Sequence, residues 1–82
     1  MRVNAVLPGV VRTPLMEPML ARPEVESAFV GQTPLGRIAD GADIADVVTF
    51  LASPAARWVT GVSLPVDGGM ALREHPRLLQ PD

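Results

Sequence analysis

Four residues within a six-residue span, Pro8, Gly9, Val11 and Thr13, are the first place where this chain could do chemistry. Proline has no backbone donor and glycine opens positive φ, so the pair forces a turn at the end of an apolar run. Such a turn exposes backbone N–H and C=O groups that can hydrogen-bond a polar ligand, and a threonine hydroxyl beside them adds one more donor and acceptor. The plainer reading is that Pro8 and Gly9 end a strand and Thr13 caps the next segment.

The other chemistry-bearing residues are less organised. His75 is the single histidine and stands between Glu74 and Pro76, with no second ligand type at metal-binding spacing. No metal site is expected. Asp40, Asp43 and Asp46 recur every three residues, which could pair carboxylates, but a helix start favoured by its dipole and a solvated face accounts for them better. "VDGG" at Val66 to Gly69 is expected to end a strand and not to open a helix. Met16, Met19 and Leu20 could present an adaptable apolar surface, and Trp58 is expected to pack in a core or subunit interface.

The elements that must position these residues follow from apolar spacing. Val3 to Leu7, interrupted only by Asn4, reads as a strand buried on both faces, the kind found in parallel sheets. A long loop follows, punctuated by Pro14, Pro18 and Pro23, with one helical turn around Glu17 to Ala21 and a short helix from Pro23 through Val30. Asp40 is placed to cap a longer helix whose Ile44, Val47, Val48 and Leu51 fall at i, i+3, i+4 and i+7, one apolar stripe. Pro54 stops it, and a turn over Ala55 to Val59 is closed by Gly61. Val62 to Val66 is the second strand, and Pro65 within it argues for an edge position. Strand, loop, helices and strand make one βαβ crossover, expected to be parallel and right-handed.

Composition narrows the partners. The chain has 82 residues, 48% apolar and 20% charged, a balance that folds rather than one that stays disordered. Its net charge is −2 and its seven arginines are scattered, so it carries no electrostatic footprint for nucleic acid. The longest apolar runs fall far short of the roughly 20 residues that span a bilayer, and no membrane association is expected. With no cysteine there is no disulfide framework and no thiol nucleophile. A cytoplasmic location is the expectation. A chain of this size buries only about 60 to 65% of its unfolded surface. Two parallel strands and a helix leave both faces and one strand edge poorly covered, so Val3 to Leu7 reads as an interior strand of a larger sheet.

"RVNAVLPGVVRTPL" followed by "TPLGRIADGADIADVVTFLASPAARWVTGVSLPVDGG" resembles the C-terminal part of the short-chain dehydrogenase/reductases, NAD(P)-dependent oxidoreductases with a Rossmann-like doubly wound sheet. The resemblance covers Arg2 to Leu72 and divides the chain into residues 1–72, the C-terminal part of such a domain, and residues 73–82, a polar tail. It implies that Val3 to Leu7 is the sixth strand, Val62 to Val66 the seventh and edge strand, and Val10 to Gly36 the mobile substrate-binding loop. It also implies that Pro8, Gly9, Val11 and Thr13 face the nicotinamide end of an NAD or NADP cofactor, Val11 through its main chain and Thr13 through its side chain. A carbonyl or alcohol would be the substrate of the complete enzyme, and self-association through C-terminal elements is typical of that family.

The departures matter equally. No glycine-rich phosphate loop is present, and the chain contains neither tyrosine nor lysine, so it cannot supply the family's catalytic Tyr-x-x-x-Lys pair. Gly41 stands where the family often has proline, and Ala39 where glycine is common. The expectation is therefore a C-terminal βαβ fragment of an α/β, Rossmann-like doubly wound parallel sheet, with no catalytic residues and no cofactor bound by this chain alone. The alternative is a non-catalytic association module that completes its sheet with a second copy or a complementing chain.

Overall fold

A computed structural model describes residues 1–72; His75 and the polar tail 73–82 lie outside the described residues. The order of elements is β1 (Ala5–Pro8), α1 (Glu17–Leu20), α2 (Pro23–Gly31), α3 (Gly41–Ala52), a single 3₁₀ turn (Pro54–Ala56) and β2 (Ser63–Val66). The two strands pair in parallel, with Ala5 opposite Ser63 and Pro8 opposite Val66. This is the expected strand–helix–strand arrangement, with strand limits moved by one to two residues.

The shift has a physical reason. In a parallel ladder alternate residues direct both backbone groups to the same neighbour. Ala5 N–H donates to Val62 O at 2.8 Å and Gly9 N–H to Val66 O at 3.1 Å, so Pro8, between donors, turns its missing N–H toward the opposite edge. Proline therefore closes the strand from inside instead of stopping it from outside. Pro65 obeys the same rule on β2. Val66 accepts from Gly9, which puts the nitrogen of Pro65 on the edge away from β1, as an edge strand requires.

Asn4, an interruption in the apolar run, closes the other end of the sheet. Its Nδ2 donates to Val59 O at 3.2 Å and its Oδ1 accepts Val62 N–H at 3.1 Å. One amide side chain thereby satisfies the backbone just before β2.

Helix α3 covers one face of the sheet, where Leu51 is buried at 8% exposure and Ile44 and Val47 are half-buried. Val48 faces partly outward at 49%, so the stripe is narrower than its spacing suggests. Its start carries a capping box between Asp40 and Asp43, in which Asp40 N–H donates to Asp43 Oδ2 at 2.7 Å. Leu20, Ile38 and Ala56 join Leu51 as the buried apolar residues among those described.

Two expectations are corrected. β1 is not buried on both faces, since Val3 is 67% and Leu7 50% exposed; one helix covers only one side of a pleated strand. Trp58, two residues past the 3₁₀ turn, is 97% exposed, so of the two places expected for it, core or subunit interface, the core of this chain is excluded.

Candidate functional site

The turn that follows β1 is held from two directions. Gly9 lies so close to the end of β2 that a Cβ built on it would sit 2.9 Å from Asp67 Cβ and 3.0 Å from Asp67 Cα, nearer than carbon atoms approach. Glycine is thus required here by contact between strand ends, while its φ is not in the left-handed region. Beyond it, Val11 forms an isolated parallel bridge with Ala39. Arg12 N–H donates to Ala39 O at 2.8 Å and Ala39 N–H donates to Val10 O at 3.2 Å.

That bridge decides what Val11 can do. Its neighbours supply both hydrogen bonds, so Val11's own N–H and C=O point away from Ala39. Among the described residues neither takes part in a hydrogen bond. A donor and an acceptor on one residue are left free at the carboxyl end of a parallel strand, where open α/β sheets hold their ligands.

Thr13 has a structural duty as well. Its carbonyl accepts N–H from Met16 at 3.0 Å and Glu17 at 2.9 Å, and its Oγ1 accepts Met16 N–H at 3.2 Å. The plain expectation, that Thr13 caps the next segment, is met only in part: the N-cap of α1 is Met16, which makes no side-chain cap, and Thr13 holds the turn that leads into the helix. The hydroxyl proton itself is unused among the described contacts, so Oγ1 keeps one donor for a ligand.

Charged residues that spacing alone does not single out fix the surroundings. Arg12 sends Nη2 to Glu26 Oε1 at 2.6 Å and Nη1 to Glu17 Oε1 at 3.3 Å, tying the turn to α1 and α2. Those carboxylates hold the guanidinium in its charged form, Glu26 more than Glu17. Arg37 grips both oxygens of Asp43, at 2.7 and 2.9 Å. With Asp40 N–H as a second donor, this fork lowers Asp43 to about 2. Asp43 is therefore an anchor of the helix start and no titrating acid near neutrality. No group of His, Asp or Glu among the described residues is arranged to hold a metal ion.

The "VDGG" turn also does more than end a strand. Gly68 and Gly69 have φ of 63° and 91°, and a Cβ on Gly68 would meet Thr33 Cγ2 at 2.7 Å. Asp67 accepts N–H from Gly69 at 2.9 Å and from Ala71 at 3.1 Å, and residues 70–72 are helical. This corrects the expectation that no helix opens there: the aspartate is the cap that starts one. Behind the Gly9–Val11 segment is a cavity of about 190 Å³ lined chiefly by Gly9, Val10, Leu35, Ala39, Ile44 and Val66. The charged groups that reach it, Arg37, Asp43 and Asp67, are already paired as described.

Two parallel strands joined through a loop with two short helices and a longer covering helix make an α/β unit, with a free backbone donor and acceptor just past the end of its first strand. Comparison with known proteins is specific. Residues 1–71 match the family described as enoyl-(acyl carrier protein) reductase. The chain is 48% identical over 68 residues to galactitol 2-dehydrogenase (L-tagatose-forming) of Cereibacter sphaeroides, covering 83% of this chain and 27% of that enzyme. A short-chain type dehydrogenase/reductase from Mycobacterium ulcerans superposes with a TM-score of 0.83 at 42% identity, over 88% of this chain and 26% of that one. A 4-hydroxyisoleucine dehydrogenase complexed with NADH gives 0.83 at 32% identity, over 88% and 30%. The chain belongs to the short-chain dehydrogenase/reductase family, a family of NAD(P)-dependent oxidoreductases. It spans less than a third of the length of the relatives just named.

Proposed function

We propose that residues 1–72 are the C-terminal end of a Rossmann-like oxidoreductase domain, and that the turn at Pro8, Gly9, Val11 and Thr13 holds the nicotinamide end of NAD or NADP. β1 is then the sixth strand of the complete sheet and β2 its seventh and edge strand. The observation that carries this reading is the pair of free backbone groups on Val11. A carboxamide presents one acceptor and two donors, which match the N–H and C=O that the Ala39 bridge leaves unused. Thr13 keeps its hydroxyl proton for a carboxamide or phosphate oxygen. Pro8 and Gly9 shape the turn, Gly9 by letting the strand ends close.

The nicotinamide, when bound, supplies or accepts a hydride in exchange with a carbonyl or alcohol. This chain's residues orient that ring and no more, because they include no tyrosine or lysine to move the accompanying proton. The choice between NAD and NADP is made near the end of the second strand of such a fold, and neither β1 nor β2 is that strand. The 82 residues alone are inactive in this reading. Oxidation of NAD(P)H by the purified chain with any member of a carbonyl panel would contradict it.

The site is tested by following the backbone amides of this segment by NMR, in a preparation that also holds the rest of the sheet with its phosphate loop, during titration with NADH, NADPH and ADP-ribose. Movement of Val11 and Thr13 with a dinucleotide and not with ADP-ribose is the expected result. Equal response to ADP-ribose would remove the nicotinamide assignment.

A second reading rests on a separate observation. The exposure of Val3 and Leu7, on the sheet face opposite α3, favours an association module that completes its sheet with a copy of itself or a complementing chain.

A further inference from the structure

We propose that Arg12 is a positioning residue that couples the Val11–Thr13 turn to the two helices of the loop. This rests on the assignment of that turn to the cofactor. Arg12 stands between the two residues assigned to the nicotinamide end, and its two ends serve different structures. Its backbone N–H holds the Ala39 bridge at 2.8 Å, which sets the direction of Val11's free groups. Its guanidinium reaches Glu17 on α1 at 3.3 Å and Glu26 on α2 at 2.6 Å.

No other described ion pair joins these parts. Arg22–Glu24 lies within the start of α2 and Arg37–Asp43 within the start of α3. Neither loop helix is tied down by burial alone: α2 has no buried residue and α1 has only Leu20. Thr13 also holds the start of α1 through Met16 and Glu17, so the charge cluster is the specific link between the turn and α2, with Glu17 as its second point of attachment. Half-exposed, with side-chain exposures of 34%, 52% and 41% for Arg12, Glu17 and Glu26, it is open to screening by salt. Movement of α1 and α2 then bears directly on the orientation of Val11, and occupation of the turn bears on the helices.

The test compares the wild-type full-length protein with Arg12→Gln, Glu26→Gln and the double variant. Amide hydrogen exchange is followed in residues 23–31 and 41–52, alongside NADH affinity at low and high salt. Arg12→Gln should speed exchange in α2 by roughly two- to five-fold, the scale of a partly exposed charge pair. Protection of α3 should stay unchanged, which controls for global unfolding. In α2, Glu26→Gln should match it, and the double variant should exceed neither single variant by much, since both remove the Arg12–Glu26 pair that reaches this helix. High salt should bring the wild type toward the variant. Unchanged α2 exchange, or additive effects, would overturn the coupling, as would NADH binding that ignores Arg12→Gln. Failure of the wild type to bind NADH would instead remove the cofactor assignment, and the exchange comparison would still decide whether Arg12 links the two parts.

Discussion

Single residues here are chosen by contact distance as much as by chemistry. Gly9 and Gly31 make the contrast plain, because a Cβ on Gly9 would strike Asp67 at 2.9 Å while one on Gly31 would meet nothing within 4 Å. Gly9→Ala should destabilise the fold by about 1–3 kcal/mol through overpacking. Gly31→Ala, at the end of α2 without positive φ, should stabilise it by roughly 0.5–1 kcal/mol. Urea unfolding of the two variants checks both signs. Asp43 offers a pH-dependent prediction. Held at about 2 against an ordinary 3.8, its carboxylate supports the start of α3 fully above its ordinary value and loses that support as pH falls through about 2. In Arg37→Gln the largest cause of the depression is gone. The Asp43 carboxyl carbon should then titrate closer to 3.8 by NMR, and α3 should fray at a higher pH on acidification.

At the scale of elements, α3 anchors the sheet among the described residues, and its stripe is uneven. Leu51 is buried and Val48 about half exposed, so Leu51→Ala should cost about 2–5 kcal/mol and Val48→Ala less than about 1 kcal/mol. Equal losses in denaturant unfolding would mean that the helix packs with a different face. The loop helices follow another logic. Pro18 lies in the first turn of α1 and Pro23 in that of α2, where the missing N–H is no loss, and Thr13 and Arg12 hold them from the strand side. These elements depend for their stability on attachment to the strand side, which places them at the low end of local stability.

For the whole molecule, the decisive feature is the uneven cover of the sheet. One face meets α3, while the other leaves Val3 and Leu7 exposed, and β1 has one paired edge among the described residues. Apolar strand surface of this kind seeks a partner. Val3→Lys with Leu7→Lys should abolish any self-association of the 82-residue chain, or its capture of a chain carrying the rest of the sheet, while leaving α3 protection intact. Sedimentation before and after mixing would show it. A monodisperse, well-folded monomer indifferent to both substitutions would count against the association reading. No helix among the described residues is long and apolar enough to cross a membrane.

What the sequence determined by itself was whatever depends on neighbours along the chain. Apolar spacing marked α3, Pro23 opened α2, Pro65 signalled an edge strand, and the order of segments carried the family resemblance. The absence of tyrosine and lysine likewise limited the chemistry before any fold was known. Tertiary structure decided what depends on residues distant in sequence. Asn4 reads as a break in a strand until Val59 and Val62 come beside it. Arg12 is one scattered charge until a loop brings Glu26, fourteen residues on, within 2.6 Å. The burial of β1 in this chain differs from the reading of its apolar run because β-propensity and apolarity report what a strand could bury, whereas the cover it receives is set by which elements fold onto it. Val11 illustrates the division most directly. Its side chain says nothing about a ligand; the free donor and acceptor exist because Ala39, twenty-eight positions away, occupies the hydrogen bonds on either side of it.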